Sequence, residues 1–218
     1  MPEFELRHNP SYSMLDARLA DQEEFLAEAG AMVSMEPQVD TSTERPVGLF
    51  SSILRKVFGG ESIYLARYEG PGRVQLAPTM VGDVQHLQLQ HENLLMQAGA
   101  FMAASPGVDV HPTYAGFTSM IGGEGLFFLE ASGSGDLFFN AHGAIYEVEV
   151  DGRYICDTGH MVAFDPALEY SLTTPGGFMS TLFSGEGLIF EFEGHGTLYM
   201  QTRFVDSFVN WLTPHLPE

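Results

Sequence analysis

Three glutamates stand in one setting: Glu61, Glu124 and Glu186 each follow a glycine, and they lie 63 and 62 residues apart. Gathered on a common axis, three carboxylates would form an oxygen-rich cation site, so these three residues are the metal candidates. Left in its own turn, each carboxylate would instead accept the backbone N–H bonds that a Gly-rich corner leaves unpaired, and this second role is the expected one. The eight histidines do not group as ligands. His86 and His91 are five apart, which matches neither the two-residue repeat of a strand face nor the four-residue repeat of a helix face. His142 and His160 have no His-x-His nearby, so the usual ligand pattern of small metal-binding β-barrels is missing, and no metal or cofactor is expected. His160 is flanked by Asp157 and Asp165, but no serine sits in a nucleophile elbow beside it. In a strand Cys156 points away from Asp157, and as the single cysteine it excludes an internal disulfide and reads as a buried small hydrophobe. The Gly-Gly-Glu turns lack the Lys-Ser/Thr of a phosphate loop. No catalytic residue is assigned, and the expectation is a protein that is not an enzyme.

The elements around these residues recur. After each glutamate comes an apolar run of strand length, then Gly-x-Gly (Gly70/Gly72, Gly133/Gly135, Gly194/Gly196), then a second apolar run, which reads as a hairpin used three times. A second motif, centred on Gly30, Gly99 and Gly159, returns at intervals of 69 and 60 residues. Self-similarity at this period marks one supersecondary unit copied in tandem. The units fall at about 3–78, 79–141 and 142–203, followed by a C-terminal helix at 204–216. Units of this size are marginal alone, so one compact body of 1–218 is expected.

Phe4 to Arg7 and Tyr12 to Ala20 alternate apolar and polar residues about the turn His8-Asn9-Pro10 and read as an opening hairpin, while 36–46 reads as a surface connection. Residues 48–59 have a helical period: Leu49, Phe50, Ile53, Leu54, Val57 and Phe58 share one face, with Arg55 and Lys56 on the other. Shorter apolar turns precede the second and third hairpins. Phe204, Phe208, Trp211 and Leu212 share a face of the terminal helix, which Pro214 stops, and that face is expected to dock on the core or on a neighbouring subunit.

The formal net charge is −20, from 29 acidic residues against nine basic ones, of which Lys56 is the only lysine. Such a surface repels phosphate backbones, so nucleic acid is not an expected partner. It suits either a protein adapted to high salt, where self-repulsion is screened, or an ordinary acidic one. The N-terminus lacks the basic start and apolar stretch of a signal peptide and no run of about 18 apolar residues occurs, so a soluble, cytoplasmic protein is expected.

The three Gly-Glu segments, Ala29-Gly30-Ala31-Met32, Ala98-Gly99-Ala100-Phe101, the stretch from Asp157 to Asp165 and the finish Gln201-Thr202-Arg203 together resemble a widespread prokaryotic family. That family is related to the mitochondrial biogenesis proteins named for altered inheritance of mitochondria, and the resemblance spans about residues 3–216. It implies an all-β fold: three tandem β-sandwich repeats like the tryptophan RNA-binding attenuation protein, around a pseudo-threefold axis, with short helices before the hairpins and at the C-terminus. It implies little chemistry, and RNA or tryptophan binding does not carry over to a chain with one lysine. The expected function is a non-enzymatic, self-associating scaffold or binding protein, with a homotrimer suggested by the internal symmetry. Two alternatives stay open. One is peripheral attachment to a membrane surface through the face of Leu49 to Phe58 with Arg55 and Lys56. The other is a small-molecule or metal-binding protein using pockets between repeats. The acidic surface supplies the first test: unfolding followed by circular dichroism against KCl concentration. Salt adaptation predicts loss of the folded state at low KCl, and an ordinary acidic protein keeps it.

Overall fold

Strict alternation of apolar and polar residues turns directly into strand pairing. In the computed structural model, which describes residues 1–44, 65–114, 127–173 and 188–216, β1 (Glu3–Arg7) and β2 (Met14–Leu19) form the opening antiparallel hairpin, with Phe4 opposite Ala17. β3 (Glu24–Glu28), β4 (Met32–Met35), β5 (Asp40–Glu44), β6 (Leu65–Glu69) and β7 (Gly72–Leu76) follow. The next strands are β8 (Gly82–Gln90), β9 (Leu94–Gln97), β10 (Phe101–Ala104), β11 (Val108–Tyr114) and β12 (Phe127–His142). The last are β13 (Ile145–Asp157), β14 (Met161–Phe164), β15 (Glu169–Thr173) and β16 (Ile189–Gln201), before the helix α1 (Val205–Leu212). The protein is thus predominantly β-sheet with a short terminal helix. β1-β2-β7-β4 make one sheet; the others form a second, in the order β13-β16-β14-β9-β12-β10-β3-β6-β5, with β8 and β11 also on β12 and β15 on β16.

The Gly-x-Gly sites are not hairpin turns. β6 and β7 pair with different partners on either side of Gly70-Pro71-Gly72, β6 with β3 and β5, β7 with β2 and β4. β12 runs straight through Gly133 and Gly135: Phe127–Gly133 pairs with β11, and Ser134–His142 pairs with β8. The expected hairpins are therefore corners, where one strand leaves one set of neighbours and joins another. Glycine is required by geometry: Gly133 and Gly135 have φ of 108° and 145°, and an added Cβ would come 2.3 Å from the Gly107 carbonyl oxygen and 2.2 Å from Ser105 Oγ. The 36–46 stretch also differs from expectation. Asp40-Thr41-Ser42-Thr43-Glu44 is a strand paired along β6, and Val39 before it is buried. Its β-branched threonines supply the strand preference that its charge and prolines conceal.

Short strands then join what the corners divide. β10 lies between β12 and β3, with Ala103 opposite Ala27 and Ala104 opposite Leu26. β14 lies between β16 and β9 in the same way, with Ala163 opposite Met96 and Phe164 opposite Leu95. Both strands are buried throughout, and the core follows these joins. Phe25, Leu15, Val74 and Leu76 pack with Met102 and Phe138 from further along the chain; Phe128, Phe164, Phe190 and Phe192 fill a separate cluster. Each fully buried Phe or Leu contributes about 1.5–3 kcal/mol, so the joins are held by apolar contact as well as by the ladder. The helix α1 contributes little here. None of its residues is buried; Val205 borders a cavity, and Phe204 just before the helix docks edge-on to His160 at 5.0 Å. The expected apolar face therefore does not lie on the core of this chain.

One ion pair is built into the first sheet. Asp16, on β2, is buried and sits between Arg7 of β1 and Arg73 of β7: Arg73 Nε donates to Oδ1 at 2.6 Å, Arg73 also bridges to Oδ2, and Arg7 Nε lies 3.1 Å from Oδ2. The Arg73 hydrogen bond, with the charges of Arg73 and Arg7, holds the Asp16 carboxyl below its ordinary range. A depressed folded-state pKa contributes stability above the unfolded value, and that contribution is lost as pH falls through the folded one. Arg73→Ala should therefore lower stability in urea unfolding at pH 7, where a buried carboxylate loses its main partner. The difference from wild type should narrow below pH 4.

Candidate functional site

A half-open cavity lies where the ends of β3, β9, β12 and β16 converge. It has a volume of about 240 Å³ and is lined by Glu28, Gln97, Asn140, His142 and Gln201 together with small and apolar residues, Gly99 and Val205 among them. Glu28 and Gln97 each close a strand just before the Gly30 or Gly99 turn, which directs both toward the same space. The reason for the space is visible at the glycines. The ring of Phe204 lies over Gly159, where an added Cβ would come within 2.7 Å of it, whereas nothing lies within 4 Å of the corresponding position on Gly99 or Gly30.

The amides that line the cavity are held by backbone carbonyls. Gln97 Nε2 donates to Thr158 O at 2.9 Å, Asn140 Nδ2 to Ala100 O at 3.1 Å and Gln201 Nε2 to Gly159 O at 2.7 Å. Gln201 Oε1 in turn accepts the His142 N–H at 2.8 Å, and the Gln201 carbonyl accepts His160 Nδ1–H at 2.7 Å. These bonds fix the walls and leave acceptor atoms, Gln97 Oε1, Asn140 Oδ1 and the Glu28 carboxyl, as further hydrogen-bonding capacity. Two lining groups stand out. Burial pushes the Glu28 carboxyl up to about 7, and His142 Nδ1 is buried with no hydrogen-bond partner. An unpaired buried nitrogen costs about 1–3 kcal/mol, which a ligand or water bound there would recover. A second, more open cleft of about 500 Å³ lies between β8–β9 and β16, with Glu92, Asp165 and Tyr199 on its walls. Burial and the surrounding carboxylates Glu147, Glu149, Asp165 and Glu92 push the Tyr199 phenol up to about 12, so it is a hydrogen-bonding group and not a base.

The residues singled out from sequence fall in two groups. Glu61, Glu124 and Glu186, and the segment Leu49, Phe50, Ile53, Leu54, Arg55, Lys56, Val57 and Phe58, lie outside the described residues. The others are placed. Asp157 caps its own turn through the Gly159 N–H at 2.7 Å, Asp165 accepts from the Ala167 N–H at 2.8 Å, and His160 is held by Gln201, so these three are not assembled as a catalytic set. Cys156 is buried, and burial pushes its thiol up to about 12, well away from a thiolate nucleophile. Among the described residues, no three His, Cys, Asp or Glu side chains come together as metal ligands, and no helix is long and apolar enough to cross a membrane. Sequence reasoning missed the cavity. Its polar lining is spread over Glu28, Gln97, Asn140, His142 and Gln201, and the only signal was the shared position of Glu28 and Gln97 two residues before a repeated glycine.

Comparison with known proteins agrees over most of the chain. The profile of the family described as mitochondrial biogenesis AIM24 matches residues 4–203. An uncharacterized protein of Streptococcus pyogenes serotype M6 is 32% identical over 174 residues, covering 78% of this chain and 70% of that protein. The crystal structure of another Streptococcus pyogenes protein superposes with a TM-score of 0.81 at 26% identity, covering 99% of this chain and all of that one.

The cavity generates a pH test. A carboxyl whose folded pKa is raised binds more protons folded than unfolded, so stability falls as pH rises from the ordinary glutamate value of 4.5 to about 7, and the full cost persists above that. Glu28→Gln removes the charge but keeps the shape. Allowing for solvent that still reaches the group, it should stabilise the protein by on the order of 2 kcal/mol at pH 8.5. Thermal melts should show a smaller gain at pH 5.5.

Proposed function

The chain belongs to the mitochondrial biogenesis AIM24 family, and from that premise we propose that it is a non-enzymatic scaffold that assembles with copies of itself. We read it as three tandem units, about 3–78, 79–141 and 142–203, wound about a pseudo-threefold axis in the manner of the tryptophan RNA-binding attenuation protein, with no strand pairing between the third unit and the first among the described residues. Two observations support the tandem reading. The corners at Gly72, Gly135 and Gly196 open strands that pair with β4, β10 and β14 at matching positions, Met35 with Val74, Ala104 with Leu137 and Phe164 with Leu198. The starts of the units also meet: the Ser13 N–H donates to Gly82 O, Ser13 Oγ to Asp83 Oδ1, and the Ile145 N–H lies 3.4 Å from Asp83 Oδ2.

The observation that carries self-association is an apolar edge without a cover. β10 and β14 are buried along their whole length, while their counterpart β4, Met32-Val33-Ser34-Met35, is exposed along its whole length. A four-residue strand with three large apolar side chains and, among the described residues, no strand on one edge is the kind of surface that isolated proteins protect with charge or proline, and β4 has neither. Assembly covers it. A second reading, binding of a small polar ligand, is favoured by the orphan His142 Nδ1 and the Glu28 carboxyl in the 240 Å³ cavity.

Native mass spectrometry of protein purified without added metal tests both readings. Self-association predicts a defined multiple of 23.9 kDa at micromolar concentration, and a monomer there rejects it. A non-covalent passenger that is lost on Glu28→Leu would support the ligand reading.

A further inference from the structure

The strands that join one unit to the next use a fixed register, and that register is left incomplete at both ends of the chain. Counting four residues back from the first glycine of each Gly-x-Gly gives Ala66, Leu129 and Phe190, and opposite them stand Ala27 of β3, Met96 of β9 and Cys156 of β13. Ala27 and Met96 are the residues on which the joining strands dock, through Ala103 and Ala163. Cys156 is the third member of the set. The segment Tyr154–Asp157 pairs with β16 on one side, and among the described residues no strand pairs with its other side. At the other end β4 is hydrogen-bonded to β7 on one side and, among the described residues, has no strand on the other. One joining strand without a dock and one dock without a joining strand are thus carried by the same chain.

The exposures fit this description. Met32, Val33 and Met35 are 43%, 57% and 38% exposed, whereas their counterparts in β10, Phe101, Met102 and Ala104, are at 4%, 0% and 1%. On the dock, Ile155 is 47% exposed, while its counterparts Leu26 and Leu95 are partly covered by the strands they meet. The same chain does not close the gap itself, because β4 stands open to solvent along its length.

We propose that β4 of one copy pairs, antiparallel, with Tyr154–Asp157 of a second copy, placing Ser34 opposite Cys156 and Met35 opposite Ile155. The register is that of Ala103 with Ala27 and of Ala163 with Met96, so Ser34 takes the place of two alanines and stands opposite Cys156. Met35 and Ile155, the exposed apolar pair, cover each other. The contact is head-to-tail: the two surfaces differ, and every copy offers both, so assembly stops only where the ring of units closes. This inference rests on the self-association reading and names the edge that carries it.

The chain contains its own probe, since Cys156 is its only cysteine. Ser34→Cys, oxidised with copper–phenanthroline at pH 8.5, should give disulfide-linked multimers on non-reducing gels, absent from wild type and from Ser34→Cys/Cys156→Ser. Should Ser34→Cys disturb the fold by circular dichroism, the outer pair serves. Met35→Cys/Cys156→Ser mixed with Ile155→Cys/Cys156→Ser should link only in the mixture. Multimers by light scattering without such a link would place the contact elsewhere, overturning this inference and leaving self-association intact. A monomer by light scattering would overturn both. A link formed within a single chain would show that β4 closes onto its own β13, and would overturn the second-copy assignment.

Discussion

A long strand that turns a corner must find hydrogen-bond partners on both sides of the bend, and the rest of this structure follows from how that is done. β12 gives its first half to β9 and β11 and its second half to β8 and β10. At the bend the backbone passes so close to Gly107 and Ser105 that a side chain on Gly133 or Gly135 would strike them. The close approach is itself bonded: Ser134 N–H to Gly107 O and Ser105 N–H to Asp136 O, both at 2.9 Å. Because each strand half belongs to a different group of neighbours, the apolar clusters also interlock. Phe138, from the later half of β12, packs with Phe4 at 4.9 Å and belongs to the cluster of Phe25 and Leu15. A folding unit of sixty residues could not stand alone with such cores.

Polar pairing follows the same geometry with different residues. Just past the corner, Arg73 meets Asp16 in the first sheet; at the corresponding place Asp136 meets His86, at 2.8 Å. Just past Gly196, Thr197 Oγ1 donates to Glu149 at 3.1 Å. The position keeps a polar cross-strand contact while its charge reverses or disappears. Backbone geometry sets where such a contact is made, and the side chains are free to vary as long as one donates and the other accepts. Of these pairs the first is the most consequential for stability, because Asp16 is buried and the others face solvent.

This division between geometry and chemistry explains what could be read from sequence. The glycine spacing was legible because a positive φ or a close approach admits little else, so Gly72, Gly135 and Gly194 announce themselves. The opening hairpin was legible from the alternation of β2, and Cys156 as a buried hydrophobe from its strand neighbours. The corner itself was not. An apolar run, Gly-x-Gly and another apolar run describe a hairpin and a bend equally well, since the difference lies in which distant strands supply the partners. β5 was hidden for a related reason: Thr41-Ser42-Thr43 carries no hydrophobic alternation, and its strand pairing is made with β6, distant in sequence. The cavity was illegible because it is defined by what is missing above Gly99, and an empty volume leaves no pattern in a sequence. The mismatch between β4 and its buried counterparts was equally invisible, since Met-Val-Ser-Met is as apolar as many core strands.

The net charge of −20 bears on how an exposed apolar edge can be used. β4 carries no charge itself, but Glu28, Glu36 and Asp40 flank it; Asp157 lies on the β13 segment, near Arg153, which is paired with Glu191 of β16. The rims of both surfaces are net acidic. Long-range attraction therefore does not bring copies together, and the rims repel over about 10 Å at 0.1 M salt. What favours contact is short in range: ladder hydrogen bonds and the burial of Met32, Val33, Met35 and Ile155. Contact of this kind strengthens as salt screens the rims, whereas pairing of opposite charges would weaken. An acidic surface and an uncharged edge are thus complementary features, the one discouraging indiscriminate aggregation and the other restricting association to a partner whose edge continues the register.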